Sequence, residues 1–513
     1  DPQKYQENKV AVHSDDEVPS IAIIPFDNKG KEEDVFYAYG ISADLISEVS
    51  SAGLIRVASL KDVEKLDYNN LETAELSEKL LVRYIAQGTL WKMDDMFQLS
   101  VELFDTKDKK VVWSDRWQEN WDNLPSIKGS LSDGLLKALD TKPKVEHKVE
   151  TTNTEAYEFY LKAKYKHEKR ENMEDTEIAR GLLKKAIELD DNLISAKVSL
   201  GWTYQETGDY DEAMEIYTPA LKKAQELGDK RGLGANLHSI GAVNWYKGDY
   251  ERALDYWDRS LTIWEELGDK LGVGGILVGI GFVHSGKGEY EKALDYYTRS
   301  LEIAEEIGDK YGMGNGLCSI GSTHADKGDY EKALDYHKRS LSIREQLGDK
   351  LGVGGSLVSI GMVYCYKSDY EKALAYYDRS LAIREELGNK YGMGNGLNYI
   401  GAVHYYKGDY KKAEECLEKS LAIQKEIGLK NFELETTTYL YLTYKKLGKA
   451  YKENEIHTLI KEAENIEFGI NFSLYELLED KSYLETAYNQ VQELVDNLEP
   501  DVAAKFLSYP IPK

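Results

Sequence analysis

The chain has 513 residues, with 65 Lys and Arg against 91 Asp and Glu, for a formal net charge of −26. The acidity runs through both halves without a basic stripe, which excludes a duplex nucleic-acid binder and docking on anionic lipid through a polybasic patch. No run approaches the ~18 apolar residues of a membrane-spanning helix, and the length allows about three to five domains, or fewer if part of it repeats.

Residues 1–19 are polar and aperiodic and read as a tail. SIAIIPF (20–26) is a short β-rich apolar run, the pattern of a buried strand. Residues 35–53 space Phe36, Ile41, Leu45 and Ile46 as a helix that stops at Gly53. LIRVAS (54–59) reads as a strand and 73–82 as a helix. Residues 83–93 and 96–105 alternate around Asp94-Asp95 as a hairpin, 109–120 is a further strand, and 124–139 a helix. This order predicts a small α/β domain over 20–140, followed by a polar linker at 141–152.

From 153 onward the chain repeats. Gly201, Gly241, Gly281, Gly321, Gly361 and Gly401 are spaced by 40, as are Tyr210 through Tyr410 and Ala213 through Ala413. Such a period means stacked units. Each unit reads as two helices: 234–248 carries Leu237, Ile240 and Val243, and 249–268 carries Tyr250, Ala253, Leu254, Trp257, Leu261 and Ile263. Asp249 suits an N-cap and Gly268 a C-terminal stop. Six units cover 192–428, and weaker copies at 153–190 and 432–466 bring the array to about eight units over 153–466. A helical pair at 472–507 within 467–513 is expected to cap it. Alternate units are the closer copies: LGDKLGVGG recurs at 267 and 347, KYGMGNGL at 310 and 390. The glycines reconcile 42 Gly and a single proline, Pro219, between Pro143 and Pro500 with a helical stretch, because they punctuate helices. Pro219 itself is expected to kink its helix.

The unit pattern L-x-x-I-G-x-V-x-x-x-K-G-D-Y-E-K-A-L resembles the tetratricopeptide repeat in its 40-residue, kinesin-light-chain-like form. The resemblance implies an all-α superhelix with an extended G-D-K-x-G loop between units. The segments IAIIPFDN, YAYGISADLISEVS, VRYIAQGTLWK and VELFDTKDKKVVWSDRW together resemble the TolB N-terminal-like domain. In bacteria that module precedes such repeats in proteins related to class III cyclases, receptor kinases and winged-helix regulators. Their output domains have no counterpart in this sequence, so their signalling activities are not implied.

Side chains capable of chemistry fall at repeat positions. The clusters GVGG (272–275, 352–355) and GMGNG (312–316, 392–396) precede helices but follow no strand, so a structural role outweighs phosphate binding. His284, His324 and His404 share one register, with Tyr364 in the fourth. Stacked units lie roughly 8–10 Å apart, too far for two ligands each about 2 Å from one zinc ion. The pairs Glu265-Glu266, Glu305-Glu306 and Glu385-Glu386 read as solvated helix ends. Asn471-Phe472-Ser473 matches a glycosylation sequon, a short pattern common by chance. Cys318, Cys365 and Cys416 make neither a disulfide framework nor a zinc knuckle. No catalytic residue, metal or cofactor is expected, and the chain reads as a non-enzyme.

In arrays of this kind the first helices line a concave groove. By register its lining here includes His238, Trp245, Phe282, Asn315, Cys318, Met362, Asn395, Asn398, Tyr399 and Tyr405. The Asn and Lys clamp that some arrays use for a C-terminal carboxylate has no counterpart: its Asn position holds Ala242, Phe282, Ser322, Met362 or Ala402. A neutral, aromatic groove suits an extended, largely apolar peptide or a partner helix. The sequence therefore predicts an interaction scaffold for protein or peptide. The alternative is a self-assembling oligomer or filament built by head-to-tail contacts. The Asp1 start reads as a processed or truncated product, and the relatives' habit places the protein in the periplasm or at the cell surface of a bacterium.

Overall fold

A strand built from SIAI has no polar face, so it has to be covered on both sides. The computed structural model describes residues 19–51, 55–141, 150–170, 172–427, 430–463, 466–498 and 503. In it β1 (Ser20–Ile23) puts Ile21 and Ile23 into one core and Ala22, with the following Ile24, into another. Then come β2 (Asp27–Asn28), α1 (Val35–Ser51), β3 (Arg56–Val57), α2 (Leu60–Glu64) and α3 (Thr73–Leu80). The long strands β4 (Tyr84–Met93), β5 (Met96–Asp105) and β6 (Lys110–Asn120) and the helix α4 (Leu124–Ala138) complete the head. The sheet order is β3-β1-β4-β5-β6, with β2 beside β4. β1 is parallel to β3 and β4, while β4, β5 and β6 form an antiparallel meander with Met93 opposite Met96 at the predicted hairpin. α1 and α4 cover one face, α2 and α3 the other.

The α/β head thus matches the expectation in order and type, with local corrections. The strand expected over 54–59 shortens to Arg56–Val57 because Leu60 already starts α2. Neither α2 nor β2 was predicted, since five and two residues are too few to show a period. The Gly53 stop, the tail up to residue 18 and most of the 141–152 linker lie outside the described residues. Thr151 is tied down, its hydroxyl donating to Asp190 (2.5 Å).

The array follows as paired helices. They are α5 (Thr154–Glu168) and α6 (Met173–Leu189), α7 (Ile194–Glu206) and α8 (Tyr210–Leu227), α9 (Lys230–Tyr246) and α10 (Tyr250–Leu267). Next come α11 (Lys270–Gly286) and α12 (Tyr290–Ile307), α13 (Lys310–Asp326) and α14 (Tyr330–Leu347), α15 (Lys350–Tyr366) and α16 (Tyr370–Glu386). The series ends with α17 (Lys390–Tyr406) and α18 (Tyr410–Glu426), α19 (Lys430–Leu447) and α20 (Glu453–Glu462), and α21 (Phe468–Leu478) and α22 (Lys481–Asn497). α8 runs unbroken through Pro219. The final pair starts at Phe468, ahead of the expected 472.

Two sequence expectations change here. The glycine clusters do not precede helices; they lie inside α11, α13, α15 and α17. The loop between units is correspondingly short, a left-handed glycine and an N-capping Asp or Asn. Gly268 has φ +71°, and Asp269 accepts from Gly272 N–H (3.0 Å).

The chain divides into two compact units, Asp1–Val283 with Asp295–Met313 and His284–Leu294 with Gly314–Lys513. In the first, head and array share one core: Ile41, Leu45 and Leu135 join Tyr157, Leu161, Leu183 and Leu200. Tyr157 and Lys164 both bond Asp44 (2.7 and 2.8 Å). The head also touches the start of α13. Lys310 donates to the carbonyl of Lys79 (3.1 Å), and the Lys65 ammonium lies 4.6 Å over the Tyr311 ring. In the second unit, Leu474 and Leu477 pack under α19, and Leu498 covers Tyr290.

Candidate functional site

The repeated residues fix how each second helix packs on its first helix, and the candidate residues fall by register on one face of the first helices. At repeated first-helix glycines such as Gly241 and Gly361 the second helix inserts a ring. A Cβ at Gly241 would lie 2.6 Å from Trp257, and one at Gly361 2.5 Å from Tyr377. The serine of each R-S-L or K-S-L motif donates back to a first-helix carbonyl: Ser260 to Gly234, Ser300 to Gly274, Ser340 to Gly314, Ser380 to Gly354 and Ser420 to Gly394, all at 2.7–3.0 Å. Sequence reasoning missed this brace, although the serine recurs once in each of these units.

In the first unit, three candidate residues lie on this face. Phe282 is 41% exposed, 5.7 Å from Trp245 and 5.7 Å from Tyr297. His238 stands against Trp257, whose indole N–H donates to the His238 carbonyl (3.0 Å). Burial pushes the His238 imidazole down to about 4, so it is neutral at pH 7.

In the second unit, Asn315, Cys318, Met362, Asn395 and Tyr399 are half-buried. Cys318 Sγ lies 3.9 Å from Ser359 Oγ, and Tyr399 stacks on Tyr377 at 5.6 Å. Burial and the nearby Glu435 and Glu467 push the Tyr399 phenol up to about 12. Two expected lining residues are interior instead. Asn398 is 3% exposed, and Tyr405 is 7% exposed and donates to Glu476 (2.9 Å). Tyr405 belongs to the core under the C-terminal helices, which the repeat period cannot anticipate.

The histidine register resolves into local pairs. His284, His324 and His404 each face an acid at the start of the following helix: Glu289 (2.5 Å), Asp329 (3.6 Å) and Asp409 (3.8 Å). His324 stacks on Tyr336, and Tyr364 does the same on Tyr376. Among the described residues no three His, Cys, Asp or Glu side chains converge as a metal site, and no helix is long and apolar enough to cross a membrane.

Arginines of the second helices, which the sequence reading passed over, reach this face. Arg344 is 8% exposed and donates to the Gly352 carbonyl (2.9 Å), Ser356 Oγ (2.9 Å) and Asn315 Oδ1 (2.7 Å). Its stem fills the space that side chains at Gly314 and Gly352 would take, as Trp264 does beside Gly234 and Gly272. The glycine clusters make room for these large side chains.

Comparison with known proteins matches this geometry to a family. The tetratricopeptide-repeat model matches residues 192–266, 232–306, 272–346 and 352–426. The paired helices form a tetratricopeptide-repeat solenoid. The head, residues 16–133, matches the second domain of HilA/YgeH-like transcriptional regulators. The chain is similar to putative adenylate cyclase 3 of Rhizobium meliloti (strain 1021), 23% identical over 188 residues, which are 36% of this chain and 32% of that protein. It therefore spans about a third of the length of the curated relative it matches. Among solved structures it is similar to BtubC (BKLC) from P. vanneervenii, with 22% identity, a TM-score of 0.35, and 46% of this chain and 92% of that one covered. It is also similar to the apo form of the quorum sensor NprR from B. thuringiensis, with 16% identity, a TM-score of 0.43, and 69% and 96% covered.

Proposed function

We propose that this protein is a non-enzymatic scaffold that binds a peptide or partner protein on the open face of its first helices. The observation that carries this reading is the exposed Phe282 beside Trp245, a large aromatic side chain left uncovered on a surface otherwise braced by repeated contacts. The half-buried Tyr399 and Met362 extend the same kind of surface in the second unit. Aromatic anchors in a partly desolvated setting are the residues that dominate binding energy in protein interfaces.

The head's kinship with the TolB N-terminal-like module and a periplasmic or cell-surface location belong to the same proposal. On this reading, the portion shared with the protein named a putative adenylate cyclase is an accessory region, and the head does not contact DNA, in keeping with the −26 charge. The test is capture of partners from a lysate of the source organism. Phe282→Ala combined with Tyr399→Ala is expected to remove the partners that the unaltered chain retains. An unchanged set would overturn the reading.

The second reading, self-assembly into an oligomer or filament, draws on the open ends of a repeat array. Light scattering at two concentrations decides it, since a mass independent of concentration and equal to one chain excludes a filament.

A further inference from the structure

Arg344 and Arg384 occupy the same position in successive units of the repeat, yet their surroundings differ. Arg344 holds three acceptors, two of them on side chains, Asn315 and Ser356. One unit on, the positions of Asn315 and Ser356 are Gly355 and Gly396. Arg384 is half-buried, and its guanidinium has no hydrogen-bond or ion-pair partner among the described residues. Its stem is held in place all the same. A Cβ at Gly392 would lie 2.5 Å from Arg384 Cδ, and one at Gly354 2.9 Å from its Nε.

A second observation meets the first. Gln424 of α18 is fully buried, with neither amide atom bonded. It packs beside Gly394, where a Cβ would touch its Cγ at 3.4 Å. Asn395 stands between the two by register. Arg344 bonds Asn315 on the first helix of its own unit, and its Nη1 lies 3.7 Å from a Cβ at Gly355 on the first helix of the next. Asn395 relates to Arg384 as Gly355 relates to Arg344, and to Gln424 as Asn315 relates to Arg344. A half-buried cation and an unpaired buried amide therefore flank one half-buried asparagine. Leaving such groups unmatched costs free energy that a ligand can recover.

We propose that Arg384, with Asn395 and Gln424, is a subsite for one carboxylate of an extended peptide. It rests on the reading of the first-helix face as peptide-binding. The guanidinium presents a planar fork that suits a carboxylate. The half-buried Asn395 amide offers a donor and an acceptor to the adjoining peptide backbone, and the buried Gln424 amide, unbonded itself, stands next to Asn395 by register.

The test uses the whole chain, immobilised, and three pools of random twelve-residue peptides lacking Asp and Glu elsewhere. One pool carries a central Glu with an amidated C-terminus, one a central Gln with an amidated C-terminus, and one a central Gln with a free C-terminal carboxylate. Retention is read by mass spectrometry. One of the two carboxylate pools is expected to be retained about tenfold over the neutral pool, and which of them tells a side-chain from a C-terminal carboxylate. Arg384→Met should remove that preference. Gly355→Asn should remove it too, by giving Arg384 the acceptor that Asn315 gives Arg344 while keeping the charge; a Cβ at Gly355 meets only ordinary contact. Equal retention of all three pools, or a preference that survives both substitutions, overturns the subsite and leaves the binding face standing. Retention of no pool overturns the peptide-binding reading and the subsite with it.

Discussion

His337 occupies the position that Tyr217, Tyr297 and Tyr377 fill in other units, stacked under a first-helix glycine. It is 1% exposed and its Nδ1 has no hydrogen-bond partner. Burial, and then the charge of Arg344, push its imidazole down to about 4. An unfolded histidine titrates near ~6.5. Above that pH both states are neutral and the residue costs nothing in ionisation. As pH falls from there toward 4 the unfolded chain takes up a proton that the folded chain refuses, so stability drops, by about 3 kcal/mol at the limit. His337→Tyr is expected to flatten the loss of thermal stability between pH 6.5 and 4, with little change at pH 8. A melting-temperature series over that range checks it. An unchanged slope would show that another group sets the acid sensitivity.

Glycine is a poor helix former, and the sequence reading therefore moved the glycine clusters out of the helices. The structure returns them, because the helix begins as soon as Asp269, Asp349 or Asn389 caps it. Within these elements the glycines are not equivalent. A Cβ at Gly241 would meet the Trp257 ring at 2.6 Å, whereas one at Gly275 meets nothing within 4 Å. Gly241→Ala is expected to cost about 1–3 kcal/mol through overpacking. Gly275→Ala should be neutral or stabilise by up to about 1 kcal/mol, because helical alanine is favoured over glycine. Urea unfolding of the two variants separates them, and equal midpoints would contradict the packing argument. The first helices thus mix glycines required by a neighbour's bulk with glycines that no contact requires.

At the scale of whole units, the head is bound to the array twice within the first unit. One attachment is the shared core with α5–α7. The other is the start of α13, which carries Lys310, and the repeat marks it. Lys230, Lys270, Lys350 and Lys390 each pair with a glutamate at the end of the following second helix, but at Lys310 that position is Gln346. Lys310 bonds the head instead. Facing it, Asp62 is 2% exposed, and burial, then the Asp309 carboxylate, raise it to about 6, against the pull of Ser59, Lys65 and Lys310. A carboxyl raised in the folded state stabilises the contact below its unfolded pKa, and that stabilisation is lost as pH rises through about 6. Amide exchange over Leu60–Glu64, corrected for intrinsic rates, should be slower at pH 5 than at pH 7.5. Lys310→Met should speed it about tenfold at both pH values and leave α5 and α6 unchanged. Unaltered exchange would mean that Lys310 does not hold the head.

Much of this protein was determined by its sequence alone. The α/β head and the paired helices follow from periods of two and forty residues, which side-chain alternation and the repeat impose directly. The register that places Phe282, Trp245 and Tyr399 on first helices was legible for the same reason. What only the tertiary structure decided are relations between residues that the period treats as equivalent. Asn398 and Tyr405 share a register with surface positions, but Glu435 and the C-terminal helices bury them. Arg344 and Arg384 are identical in sequence terms, yet one is satisfied and the other is not, because that depends on side chains contributed by the first helices on either side. A repeat sets where each residue sits in its own unit. Which groups complete its hydrogen bonds and exclude its water is set by neighbours in space, and there the identity between units breaks down.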